Sequence, residues 1–188
     1  GILVTIEGGE GAGKSTVREA LKDVLAEGGR EVVCTREPGV TPEGEAIREL
    51  LLSPGQHLVA EAELLLMFAA RAQHVRETIA PALARGAWVL SDRFTDASYA
   101  YQGAARGGDP AFIAELERRV VGIVPGLTLL LDVPVAVGLQ RARGRGAADR
   151  IEGEREDFFE RVREGYLARA RAEPRRVRVI ERRSFPCE

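Results

Sequence analysis

Apolar runs of strand length alternate with longer stretches of helical period along the 188 residues. Residues 2–7 ("ILVTIE"), 31–35 ("EVVCT"), 88–92 ("WVLSD"), 127–133 ("LTLLLDV") and 176–180 ("RVRVI") predict strands. The unbroken run at 127–133 suits a strand covered on both faces. Between them, a helix is expected over 13–27, closed by Gly28-Gly29, and another over 43–52, with Ile47, Leu50 and Leu51 at i, i+3 and i+4. Leu64, Leu65, Phe68 and Val75 mark a further helix face, expected to bend near Pro81 and to end at Gly86. Asp109-Pro110 reads as an N-cap and N1 pair opening a helix to about residue 121. Helices near 136–143 and 156–172 complete the pattern. This alternation predicts an α/β fold: a parallel β-sheet of about five strands, right-handed crossovers, and helices on both faces. Neither repeat nor low-complexity linker breaks it, so residues 1–188 are expected to form one domain.

Composition narrows the classes. Apolar residues at 45% and charged residues at 30% fit a globular protein. A net charge of −2 gives no global reason to expect nucleic acid or a membrane surface as partner. Cys34 and Cys187 are too few and too far apart for a disulfide scaffold or metal site, which favours a reducing compartment. "GILVTIEGG" is short for a signal peptide and lacks a cationic lead, and no run approaches the length of a membrane span. The cytoplasm is therefore expected.

The chemistry concentrates in "IEGGEGAGKST", which holds Lys14, one of only two lysines. Gly8, Gly13, Lys14 and Ser15 satisfy G-x-x-x-x-G-K-[ST] between a predicted strand and a predicted helix. Glycines let successive N–H groups converge into an anion nest, and the helix start behind them adds open donors and partial positive charge. The loop Gly8, Gly9, Glu10, Gly11, Ala12, Gly13, Lys14, Ser15 and Thr16 thus predicts a triphosphate site, with Lys14 on the β- and γ-phosphates and the Ser15 hydroxyl on Mg²⁺. This places the fold with the P-loop NTPases. The chain contains no asparagine, which excludes the Asn-Lys-x-Asp guanine motif of GTPase switches. The strands ending "LSDR" and "LLDV" carry one acid each, unlike the paired acids of larger ATPases. Many arginines in a small domain suit a kinase that holds two phosphorylated substrates.

The chain resembles the bacterial type of thymidylate kinase. The segments carrying the resemblance are "IEGGEGAGKST", "TREPGVTPEGEAIRELLL", "MFAARAQHV", "LSDRFTDASYAYQGAARG" and "RARGRGAADRIE". It implies transfer of the ATP γ-phosphoryl group to dTMP, with ATP and Mg²⁺ as cofactors and a homodimer as the assembly. It also implies that Glu10 faces the acceptor sugar, that Asp92 holds Mg²⁺ through water, and that Arg93 and Arg48 hold the acceptor phosphate. Glu37 and Pro38 of "TREPG" and Tyr101 belong to the same acceptor side. Arg71 is implied to donate to thymine O4, with Ser98 and Gln102 reading the other polar edge. A lid over about 141–153 is implied to bring arginines to the phosphates, from among Arg141, Arg143, Arg145 and Arg150. Which of them is decisive stays open. The loop position where some members carry that arginine is Gly11 here, so the lid is expected to supply it. His57 and His74 receive no role. A kinase for dUMP, UMP or AMP is the rival within enzymes, and a nucleotide-binding switch is the rival outside them.

Three departures from the family pattern stand out. Met67 occupies the place of an aromatic four residues before Arg71, so either Met67 or Phe68 packs on the base. Val40 replaces a second glycine after Pro38-Gly39. The chain closes with "ERRSFPCE" in place of an acidic turn and final helix.

Overall fold

Strand β1 (Ile2–Glu7) lies at the middle of the sheet, and residues 3–7 are buried. The computed structural model describes residues 1–144 and 146–181, so Arg145 and the closing residues 182–188 lie outside the described part. Following β1 come α1 (Lys14–Glu27), β2 (Val32–Arg36), α2 (Pro42–Leu52), α3 (Ala60–His74), α4 (Ala80–Ala84) and β3 (Trp88–Asp92). Next are α5 (Thr95–Ser98), α6 (Pro110–Leu116), β4 (Leu127–Asp132), α7 (Val135–Arg143), α8 (Glu156–Ala172) and β5 (Val177–Glu181). The strands pair in the order β2-β3-β1-β4-β5, all parallel, with Ile6 beside both Asp92 and Leu129.

The two faces of β1 differ. Val4 and Ile6 pack with Leu90 and Leu131 against Val17, Leu21 and Leu25 of α1. Leu3, Thr5 and Glu7 alternate onto the opposite face. There Thr5 and Thr128 share a 2.7 Å hydrogen bond, and Glu7 meets the helices that cover the sheet. A strand that reads as apolar therefore carries a buried polar stripe.

Helix ends follow local chemistry. Thr41 accepts from the Gly44 N–H at 3.0 Å ahead of Pro42, and Asp109 accepts from the Ala111 N–H ahead of Pro110. In contrast, α1 starts at Gly13, in the left-handed region at φ 90°, with no side-chain cap. Its first N–H groups stay available for an anion.

One expectation needs correction, and one stretch had none. Leu65 is 49% exposed, so it lies outside the apolar face of α3, which is built by Leu64 and Phe68. Residues 95–105, without a strong periodic signal, wind into α5 and a wide π-helical segment (Tyr99–Ala105). Tertiary packing holds that segment: a Cβ at Gly165 of α8 would stand 2.7 Å from Ala104 Cβ and 2.9 Å from Ala100 Cα. The two helical stretches touch backbone to backbone. Wide π turns also carry the chain from α3 to α4 and extend α6.

Val40 adopts φ 81°, in the left-handed region that costs a β-branched residue energy, while its N–H donates to Glu45 Oε1 at 2.6 Å. Replacing it with glycine, Val40→Gly, should raise unfolding free energy by about 1 kcal/mol. Urea denaturation checks this, and a loss of stability would show that the turn is relaxed as it stands.

Candidate active site

The sheet's C-terminal edge opens into a cavity of about 320 Å³. At one end the loop turns through Gly8, Gly11 and Gly13 at φ 141°, 69° and 90°. Gly11 is required for space as well as conformation, because a Cβ there would stand 2.0 Å from the Gly138 carbonyl oxygen of α7. Glu10, Gly11, Ala12, Gly13, Lys14, Ser15 and Thr16 line the cavity, whereas Gly8 and Gly9 line a separate, smaller pocket with residues of β4 and α7.

Lys14 is buried, and its Nζ donates to the Gly8 and Gly9 carbonyls at 3.4 and 3.2 Å. Burial, then the neighbouring Arg93 charge, pulls its amine down to about 8. Arg93 follows β3 at φ 72°, an unusual backbone state for a non-glycine residue. That turn swings its guanidinium over the loop, where it donates to the Gly8 carbonyl at 3.1 Å, Glu10 Oε1 at 2.8 Å and the Tyr166 hydroxyl at 3.0 Å. Lys14 and Arg93 thus converge on one carbonyl oxygen in one cavity. Glu10 Oε1 also accepts from the Tyr101 hydroxyl at 2.9 Å, and the Arg93 guanidinium lies 4.9 Å from the Tyr101 ring centre. Asp92 ends β3 on the wall of the cavity that Ser15 also lines.

The far end is built from α2, α3 and α5. Arg71 is buried and each of its guanidinium nitrogens has a partner: Nε donates to Glu37 Oε2 at 2.6 Å, one amino group to Ser98 Oγ at 3.0 Å, the other to the Phe94 carbonyl at 3.1 Å. Glu37 in turn meets His74 Nδ1 at 3.0 Å, and His74 Nε2 meets Thr35 Oγ1 at 2.6 Å. His74 is therefore a core residue with both nitrogens paired, while His57 is exposed. Arg48 donates to the Pro38 carbonyl at 2.9 Å, and Arg36, Glu37, Pro38, Arg48, Met67, Ser98, Tyr101 and Gln102 all line the cavity.

A family model described as Thymidylate kinase matches residues 6–184. The chain belongs to the thymidylate kinase family. It is 57% identical over 182 residues to the thymidylate kinase of Pseudomonas putida (strain W619), covering 96% of this chain and 88% of that one. Its identity to the thymidylate kinase of Methylococcus capsulatus is also 57%, over 182 residues, covering 96% of this chain and 87% of the other. The crystal structure of thymidylate kinase from Ehrlichia chaffeensis superposes with a TM-score of 0.81 at 33% identity, covering 100% of this chain and 90% of that chain. The parallel sheet flanked by helices is accordingly a P-loop NTPase fold.

Against the family pattern, Met67 lines the cavity and Phe68 does not. Phe68 is buried in the core, with its ring 4.7 Å from the Arg71 guanidinium, so the expectation that it packs on the base is corrected: it supports Arg71 from behind. The lid expectation changes too. Arg141 and Arg143 sit exposed on the last turn of α7 and do not line the cavity. Arg150 points away from it, donating to the Leu51 carbonyl and to Glu63 Oε2, both at 2.6 Å. From this segment Asp149, Ile151 and Glu152 reach the cavity instead. Arg145 and "RRSFPCE" lie outside the described residues.

Sequence reading missed Glu7 and Tyr166. Glu7 is fully buried beneath the loop, accepting from the Phe94 N–H at 2.7 Å and the Tyr166 hydroxyl at 2.8 Å. Its only signal was an acid closing an apolar strand. Burial, reinforced by Asp96, pushes its carboxyl up to about 8. A carboxyl raised in the folded state contributes stability in full below its unfolded value near 4.5, and loses it as pH rises to about 8. Glu7→Gln should therefore flatten the decline in stability between pH 5 and 8, measured as parent-minus-variant unfolding free energy. A difference that does not change with pH would mean that Glu7 is ionised throughout.

Proposed function

We propose that the protein transfers the γ-phosphoryl group of ATP to dTMP, giving ADP and dTDP. The observation that carries this reading is the convergence of Lys14 and Arg93 on the Gly8 carbonyl, both cations lining a cavity that also takes in Gly11 to Thr16 of the phosphate loop and Arg71, Ser98 and Gln102. Gly8 to Thr16 hold ATP, with Lys14 on its outer phosphates. Arg93 and Arg48 seat the acceptor phosphate, Glu10 and Tyr101 meet the sugar, and Met67 packs on the base. An acceptor phosphate oxygen forms the new bond to the γ-phosphorus as the bond to the β–γ bridging oxygen breaks, in line. No covalent enzyme intermediate or general base is needed, because alignment and charge compensation do the chemistry.

Ser15 and Asp92 offer a hydroxyl and a carboxylate in one cavity, hard oxygen donors that suit Mg²⁺ held largely by substrate phosphates and water. Bound there, Mg²⁺ supplies charge neutralisation on the β- and γ-phosphates. The reading takes residues 1–188 as one kinase domain acting in the cytoplasm, with a lid over about 141–153. No helix among the described residues is long and apolar enough to cross a membrane. A homodimer is part of the proposal.

An ADP-release assay with ATP-Mg²⁺ and dTMP, dUMP, UMP or AMP tests the function. Turnover should be highest with dTMP; no turnover with any acceptor would overturn the reading. Lys14→Ala should lower kcat by about 10² or more while the melting temperature holds or rises, since a desolvated ammonium is removed. Arg93→Ala should raise the dTMP KM and cut kcat together, by about 10² in kcat/KM. Unchanged kinetics in either would sink that residue's assignment.

A further inference from the structure

Glu63 of α3 has no place on the cavity wall, yet it is only 1% exposed and gathers three donors. Its Oε1 accepts from Gln102 Nε2 at 2.9 Å and from Arg106 Nε at 3.4 Å, and its Oε2 accepts from Arg150 at 2.6 Å. Arg106 also pairs with Glu154 at 2.6 Å, and the Arg150 N–H donates to the Leu52 carbonyl at 2.9 Å. One buried carboxylate therefore ties the 150–154 segment and Gln102 to the same helix.

Burial alone would push the Glu63 carboxyl up, but the bonds from Gln102 and Arg150 and the charge of Arg106 outweigh it and hold it below the usual carboxylate range. An ionised carboxylate can only accept. Gln102 is thereby obliged to turn its NH₂ group toward Glu63, and the planar amide directs Oε1 elsewhere. Gln102 lines the cavity beside Ser98 and Arg71, and among the described residues no protein donor meets its Oε1. A base lying there is offered an acceptor by this amide.

We propose that Glu63 is a specificity-positioning residue, fixing the Gln102 amide so that the cavity accepts a pyrimidine carrying an N3–H donor and rejects cytosine, whose N3 is itself an acceptor. This deepens the dTMP kinase reading and rests on it. Thymine and uracil satisfy the Oε1 acceptor alike. Against cytosine two lone pairs face each other in a closed site, where an unmatched polar contact costs tenfold or more.

The test compares kcat/KM for dTMP and dCMP, with ATP-Mg²⁺, in the parent, Glu63→Gln and Glu63→Asp. The glutamine variant can donate to Gln102 and release its NH₂ toward the base. The dTMP-to-dCMP ratio should fall by about tenfold or more, through a loss on dTMP and a gain on dCMP. The aspartate variant keeps the charge for Arg106 and Arg150 but withdraws the carboxylate by one methylene. Its ratio should fall by about fivefold. If Glu63→Gln does not fold, the aspartate variant decides. A lowered melting temperature with a ratio within about twofold of the parent, in whichever variant folds, means that Glu63 is structural only and overturns the proposal. A parent that turns over dTMP while the ratio stays put condemns this inference alone. A parent that does not turn over dTMP removes both readings.

Discussion

Two cations held against one carbonyl oxygen set the terms for the whole site. Lys14 and Arg93 both donate to Gly8, within a buried corner where their charges repel strongly. The protein tolerates this through surrounding oxygens: Glu10, Asp92, the Gly8 and Gly9 carbonyls and the Tyr166 hydroxyl. The lysine still gives way in part, its amine drawn down to about 8. Such an arrangement is incomplete without more negative charge. In the proposed reaction phosphate groups would supply that charge, so that one geometry would serve both substrate binding and the transition state.

Around this corner, buried polar pairs do the positioning. Glu7 receives the Phe94 N–H, which fixes the chain just after Arg93, and receives Tyr166 from α8, which steadies the Arg93 guanidinium. Asp96 on α5 accepts from Arg169 and Arg176 and so fastens the same stretch to α8 and to the start of β5. Thr35, His74 and Glu37 form a chain ending on Arg71. The Glu7 and Glu37 networks each lead from a regular element to one cationic side chain at the cavity, Arg93 and Arg71. Precision at the site comes from these supports, because long arginine side chains have too much rotamer freedom to place themselves.

How much was legible beforehand varies with the range of the interaction. The glycine loop could be read because its chemistry is local: nest, helix start, lysine and hydroxyl all lie within consecutive residues. Strands 88–92 and 127–132 and helix 156–172 were legible for the same reason, their periodicity being continuous. Phe68 and Met67 were not separable, since neighbouring apolar residues differ only in which way the helix faces. Arg150 looked like any lid arginine until Glu63, 87 positions away, was found beside it. The segment 95–105 lacked a helical signature because its helicity depends on a glycine gap in α8.

The sequence by itself determined the α/β alternation, the phosphate loop and, through motifs in fixed order, the family. Tertiary structure alone decided that Lys14 and Arg93 share one oxygen, that Glu7 lies protonatable beneath them, and that α7 arginines stand outside the cavity. The physical reason is that hydrophobic period and backbone conformation are encoded over a few residues. Desolvation, charge proximity and amide orientation exist only once distant segments have been brought together.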